Sequence, residues 1–119
     1  MIQVVKMEEN NLEKLTLDYQ KVEEQLQALS MQREQFTAQK DELNHAKEQI
    51  EGSSGKIYSS IGGAIVEATK EAALEDINEK SELTNMRLTI LKKQIDELKK
   101  REQELREKVM SMVNGQKGK

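Results

Sequence analysis

Twelve residues, Leu12, Leu15, Tyr19, Val22, Leu26, Leu29, Arg33, Phe36, Lys40, Leu43, Lys47 and Ile50, follow one another at alternating steps of three and four. Twelve more do the same later: Leu74, Ile77, Ser81, Thr84, Leu88, Leu91, Ile95, Leu98, Glu102, Leu105, Val109 and Met112. This is the a/d spacing of a coiled-coil seam, and it restricts the chain to long helices that bury one narrow stripe each. Each stripe covers ~39 residues, or ~58 Å at the helical rise. The first seam is continuous at its start, but its a positions then become Arg33, Lys40 and Lys47, which can lay only their methylenes along it.

Between the two runs stands KIYSSIGGAIVEAT, Lys56 to Thr69. Ile57 to Ile61 and Ala64 to Thr69 are rich in β-branched and aromatic residues, and Gly62-Gly63 supplies the positive φ angles of a two-residue hairpin turn. That turn sets the register. Ile61 faces Ala64, Ser59 faces Val66 and Ile57 faces Ala68 on one side of the hairpin, while Tyr58, Ser60, Ile65 and Glu67 occupy the other. A lone two-stranded hairpin is marginal in water, and this one has two unpaired edges and more apolar surface than its own helices can cover. It calls for strands from elsewhere. The competing reading makes Gly62-Gly63 a flexible loop, against which the β-prone flanks argue.

A hairpin returns the chain to its starting point, so the two helices run antiparallel. Leu12 then lies near Met112, Leu26 meets Leu98, Leu29 meets Ile95, Phe36 meets Leu88, and Ile50 lies near Leu74. Lys40 falls near Thr84 and Leu43 near Ser81, so the weak part of each seam meets the weak part of the other. Tight packing is expected far from the hairpin and looser packing beside it.

Composition enters as a set of exclusions. In 119 residues there are three aromatics, no proline and no cysteine, and 35% hydrophobic content is a poor supply for the compact core of a globular enzyme. Charged residues make up 34%, with a net −3 and both signs mixed, which suits solvated helices and marks no nucleic-acid binder. MIQVVKMEENN lacks the apolar stretch of a signal peptide and no window spans a membrane, so a soluble, cytoplasmic protein is expected. His45 is the only histidine and sits on a polar stretch, Gly62-Gly63 lacks the lysine and hydroxyl of a phosphate loop, and the carboxylates are interleaved with lysines. No catalytic residue, cofactor or metal site is expected.

The helix ends carry local signals. Asn10 with Glu13 resembles a capping box, with extension of the helix backwards through Met1 to Met7 as the alternative; Gly52 reads as a left-handed stop for the first helix, Thr69 as the N-cap of the second, and Asn114-Gly115 as its end before a frayed QKGK tail. Four acid-before-base pairs at i, i+4 lace the second helix: Asp96 with Lys100, Glu97 with Arg101, Glu102 with Arg106 and Glu104 with Lys108. The expected organisation is one domain over 1-119: helix 1 at 1-51, connector and hairpin at 52-69, helix 2 at 70-113, and a tail at 114-119.

The hairpin residues Tyr58-Ser59-Ser60-Ile61-Gly62-Gly63-Ala64-Ile65-Val66-Glu67, followed by Thr69-Lys70-Glu71-Ala72-Ala73-Leu74, resemble the prefoldin family, and within it the β class. The similarity covers essentially the whole chain. Only ~23 residues separate Ile50 from Leu74, room for one hairpin and not for the two of the α class. The resemblance implies a mainly α fold: a long antiparallel two-helix coiled coil whose central β-hairpin joins other subunits' hairpins in a β-barrel. It is that of an archaeal β subunit or a eukaryotic β-type relative. It further implies a heterohexamer of α-type subunits and β copies that captures unfolded polypeptides without ATP and passes them to a group II chaperonin, with no nucleic acid or membrane partner. Ile57, Tyr58, Ile61, Gly62, Gly63, Ile65 and Val66 would form the assembly hairpin.

Apolar residues also gather at the chain ends: Met1, Ile2, Val4, Val5 and Met7 on one side and Met110, Met112 and Val113 on the other. Methionine is flexible and polarizable, which suits a surface that must repack around varied partners, so these eight are the candidate client-binding tips. Val5, Val109 and Met112 also fall on the seam, so Ile2, Val4, Met7, Met110 and Val113 are the discriminating set. Two other classes fit the same pattern: a homo-oligomeric coiled-coil scaffold, and a helical adaptor that holds a partner helix through the weak basic seam.

Overall fold

The computed structural model describes the backbone over residues 2–117 and the side chains over 10–115. The order is α1 (Ile2–Gly52), β1 (Ile57–Ile61), β2 (Ala64–Ala68) and α2 (Lys70–Lys117). The strands pair antiparallel in the expected register, with Ile57 opposite Ala68, Ser59 opposite Val66 and Ile61 opposite Ala64. Gly62 and Gly63 have φ of 54° and 85°, the two positive angles of a type I′ turn, whose twist matches that of the strands it joins.

Two compact units make up the chain. The first comprises residues up to Gln32 with those from Leu91 onward. Its core is Val22, Leu91, Ile95 and Leu105, of which Ile95 and Leu105 are 1% exposed. Tyr19 of α1 lies against Glu102 and Arg106 of α2, and Leu15 shares a groove with Ser111 and Met112, so the helices of this unit run antiparallel. The second unit is Arg33–Ile90 and contains the hairpin. Here Phe36 meets Arg87 and Glu51 meets Lys70, again antiparallel. Its buried residues are Ile77 and Thr84, the latter donating its hydroxyl proton to the Lys80 carbonyl at 2.9 Å.

The difference between the units follows from the seam. Every a and d residue of α2 from Leu74 to Met112 is buried or half-buried, but on α1 Arg33 and Lys40 stand exposed and Lys47 is only half-buried. An ammonium or guanidinium cannot be sealed into an apolar stripe without a partner, so these positions leave the α2 seam facing partial cover. Among the described residues one apolar residue, Ile77, is therefore buried in the hairpin-bearing unit and four are buried in the other.

Three helix ends differ from the sequence expectation. Asn10 and Glu13 lie inside α1 and cap nothing, because the helix extends backwards to Ile2, the alternative to the capping box. Gly52 is the last residue of α1 but has no positive φ. The turn tightens instead, with Ser53 N–H donating to Ile50 O at 3.2 Å, and the Lys70 ammonium donates to Glu51 O at 2.7 Å. α1 has no basic residue in its own last turn, so the cation that complements its negative end comes from the start of α2. At the far end α2 continues through Asn114-Gly115 to Lys117. A left-handed glycine stop is usually held by an apolar contact from the residue beyond it, and Gln116 and Lys117 offer none. Thr69 does cap α2: its Oγ1 accepts from Ala72 N–H at 3.1 Å, and its carbonyl accepts from Ala73 N–H at 3.0 Å.

Candidate functional site

The hairpin exposes large apolar side chains on both of its faces. On one face Ile57, Ser59 and Ala68 are half-buried near the hairpin base, but Ile61 and Val66 are 65% and 41% exposed. On the other, Tyr58 and Ile65 are 60% and 76% exposed. Four large apolar side chains thus lie bare within ten strand residues, on a sheet of two strands with an open edge on each. A Cβ built on Gly62 or Gly63 meets nothing within 4 Å, so these glycines are required for their backbone angles and for no lack of room.

The second candidate site is only partly within the described residues. Met110 is exposed, and Met112 and Val113 are half-buried at the end of α2. The side chains of Met1, Ile2, Val4, Val5 and Met7 lie outside the described residues.

Two polar arrangements escaped the sequence reading. The first is the Lys70 to Glu51 bond, between residues nineteen apart with no periodic relation. The second centres on half-buried Tyr19, whose hydroxyl donates to Glu102 Oε1 at 3.2 Å and accepts from Arg106 at 3.3 Å, while Arg106 also pairs with Glu102 at 3.4 Å. The pKa of Tyr19 is raised, chiefly by the Glu23 carboxylate one turn along α1, which favours the protonated hydroxyl; Arg106 opposes this in part. Glu23 and Glu102 are alternative acceptors for the Tyr19 hydroxyl, and in this structure Glu102 accepts its hydrogen bond. A signal for this cluster was available, because the register sets Tyr19 opposite Leu105, between Glu102 and Arg106. Of the four acid-before-base pairs expected on α2, only Glu102 with Arg106 forms among the described residues; Asp76 with Lys80, at 2.9 Å, forms unexpectedly. Exposed pairs gain too little to hold long side chains in place.

Among the described residues no group of three metal-ligating side chains gathers, and no helix is long and apolar enough to cross a membrane. His45 is exposed, with its Nε2 3.3 Å from Gln49 Nε2. The fold and this bare hairpin define a class: a two-helix subunit built around a small sheet suited to pairing with other sheets.

Known proteins of this class are similar to the chain over most of its length. The family model described as prefoldin subunit matches residues 6–116. A prefoldin subunit beta from Pyrococcus abyssi is 31% identical over 93 residues, covering 76% of this chain and 80% of its own. One from Pyrobaculum calidifontis is 28% identical over 112 residues, covering 89% and 90%. The crystal structure of the prefoldin beta subunit from Thermococcus strain KS-1 matches with a TM-score of 0.81 at 25% identity, over 85% of this chain and 90% of that one. The chain belongs to the prefoldin subunit family, in its β class.

Proposed function

We propose that the chain is a non-enzymatic subunit of a heterohexameric prefoldin, in which hairpins of α-type and β-type subunits close into β-barrels. The complex captures unfolded polypeptides without ATP and transfers them to a group II chaperonin in the cytoplasm. The observation that carries the reading is the hairpin, with Tyr58, Ile61, Ile65 and Val66 all exposed and both sheet edges open. Burying such a side chain fully contributes ~1.5–3 kcal/mol, and added strands would also pair the open edges. A barrel achieves both at once.

The client surface in this reading is the chain-end set Met1, Ile2, Val4, Val5, Met7, Met110, Met112 and Val113, whose methionines suit weak, adaptable contact. The test mixes the chain with an α-type prefoldin subunit and measures complex mass by light scattering, then adds a chemically unfolded protein and follows its aggregation. A defined hetero-oligomer that suppresses aggregation without nucleotide is expected. A monodisperse homo-oligomer that ignores the α subunit and the unfolded protein would establish a scaffold instead.

A further inference from the structure

The hairpin is joined unequally to the two helices. β2 passes into α2 through Thr69 alone, whose hydroxyl and carbonyl both accept hydrogen bonds from the first turn of α2. β1 is joined to α1 by residues 53–56, which belong to no helix or strand and include Gly55. The sheet is thus anchored on α2 and only loosely strung to α1.

Lys70 stands at this junction and breaks a local rule. It is the first residue of α2, where the helix dipole is positive and favours an acid such as Glu71 beside it. A cation there is unfavourable to its own helix. Its exposed ammonium instead crosses the base of the hairpin and donates to Glu51 O at 2.7 Å, at the negative end of α1, where a cation is favourable. That end has no basic residue in its last turn and no left-handed glycine, and Ile50 within it is only half-buried. Among the described residues this is also the one hydrogen bond between α1 and α2 in the unit Arg33–Ile90.

We infer that Lys70 is a positioning residue for the hairpin: its ammonium clasps the last turn of α1 to the start of α2 and so fixes the span that the hairpin bridges. Without the clasp the end of α1 frays, the connector lengthens by the residues released, and β1 gains the freedom of a longer loop. The identity of the residue follows from this role. A cation that disfavours its own helix is explained by what it holds on the other one. A sheet already ordered when further strands are added has less conformational freedom to lose. That last step rests on the assembly proposed above, whereas the clasp itself belongs to the isolated chain.

Amide hydrogen exchange of the full chain, resolved by residue with NMR and corrected for the intrinsic rates of each sequence, provides the test. Lys70→Met keeps the apolar stem and removes charge and donor, so exchange at residues 50–52 and in β1 should quicken roughly two- to fivefold, with Leu91 and Ile95 unchanged. Lys70→Arg should restore the slow rates. Lys70→Glu should separate the two helix ends, with faster exchange at residues 50–52 and slower exchange at Ala72 and Ala73, because an acid suits the start of α2. Unchanged exchange at residues 50–52 in the Met and Glu variants, an Arg variant that behaves like Met, or a Glu variant that moves both ends in the same direction would overturn the clasp. Affinity for an α-type prefoldin subunit, titrated by light scattering, should fall by a similar factor in Lys70→Met and return in Lys70→Arg. Unaltered affinity alongside faster exchange would overturn the link to assembly. A wild type that joins no α subunit would refute the assembly reading and this link with it, while the exchange pattern still decides the clasp.

Discussion

Gly63 has a φ of 85° and open space where a Cβ would stand, so a substitution there tests backbone conformation without a clash. Gly63→Val forces a β-branched residue into that region at a strain of ~1–3 kcal/mol, while both helices keep their sequence. Association with α subunits is expected to weaken with far-ultraviolet helicity preserved, and light scattering showing a complex of unaltered stability would remove the hairpin from assembly. Tyr19 supports a different test. Its pKa is raised in the folded chain, so the fold holds the phenolic proton more firmly than the unfolded chain does. Its contribution is full below the unfolded pKa, near ~10, and is lost as pH rises through the folded value. The thermal midpoint of the wild type should therefore fall more steeply above that pH than that of Tyr19→Phe; parallel curves would show that the hydroxyl contributes nothing. Gly62 and Gly63 were legible because a two-residue turn with two positive φ angles admits few other residues. Lys70 was not, since its acceptor is set by where two helix ends meet.

The helices show why some features read directly from sequence and others do not. Seam membership was legible through period alone, and all twelve α2 positions are covered to some degree. Helix ends were less so. Gly52 and Gly115 permit a left-handed stop but do not impose one, and the outcome turns on neighbours that no local pattern specifies. The hydrophobic register leads to a crosslinking test within one unit. Cysteines at Leu26 and Leu98 should join intramolecularly under mild oxidation, as a facing antiparallel pair brings Cβ atoms within reach. A parallel homodimer would place each cysteine beside its own copy, so purely intermolecular 26-to-26 or 98-to-98 products would exclude the antiparallel pairing. Burial separates two isoleucines on the same helix. Ile95 is 1% exposed and Ile90 is 56% exposed. Ile95→Ala should destabilise by ~2–5 kcal/mol in urea unfolding, and Ile90→Ala by no more than ~0.5 kcal/mol. Similar losses for both would mean that Ile90 is covered in solution.

For the whole molecule, the open matter is where a client would be held. Replacing Ile2, Val4, Met7, Met110 and Val113 by serine removes apolar side chains that lie off the a/d seam at the chain ends and leaves the hairpin sequence untouched. Met110 is 57% exposed, so its loss disturbs little of the folded core. Each such side chain contributes up to ~1.5–3 kcal/mol when fully buried and less in a loose contact, and in the proposed complex several subunits acting together would multiply a small gain per contact into a firm grip. In the proposed complex the same multiplication would make the grip fragile, because weakening every subunit at once lowers a combined affinity far more than any single loss. Assembly with α subunits should therefore persist in the five-site variant while suppression of aggregation of a chemically unfolded protein fails, the two complexes being compared at equal mass and concentration. Equal suppression by wild type and variant would move the client surface from the chain ends to the sides of the helices. No suppression by either would remove the holdase function and leave the scaffold.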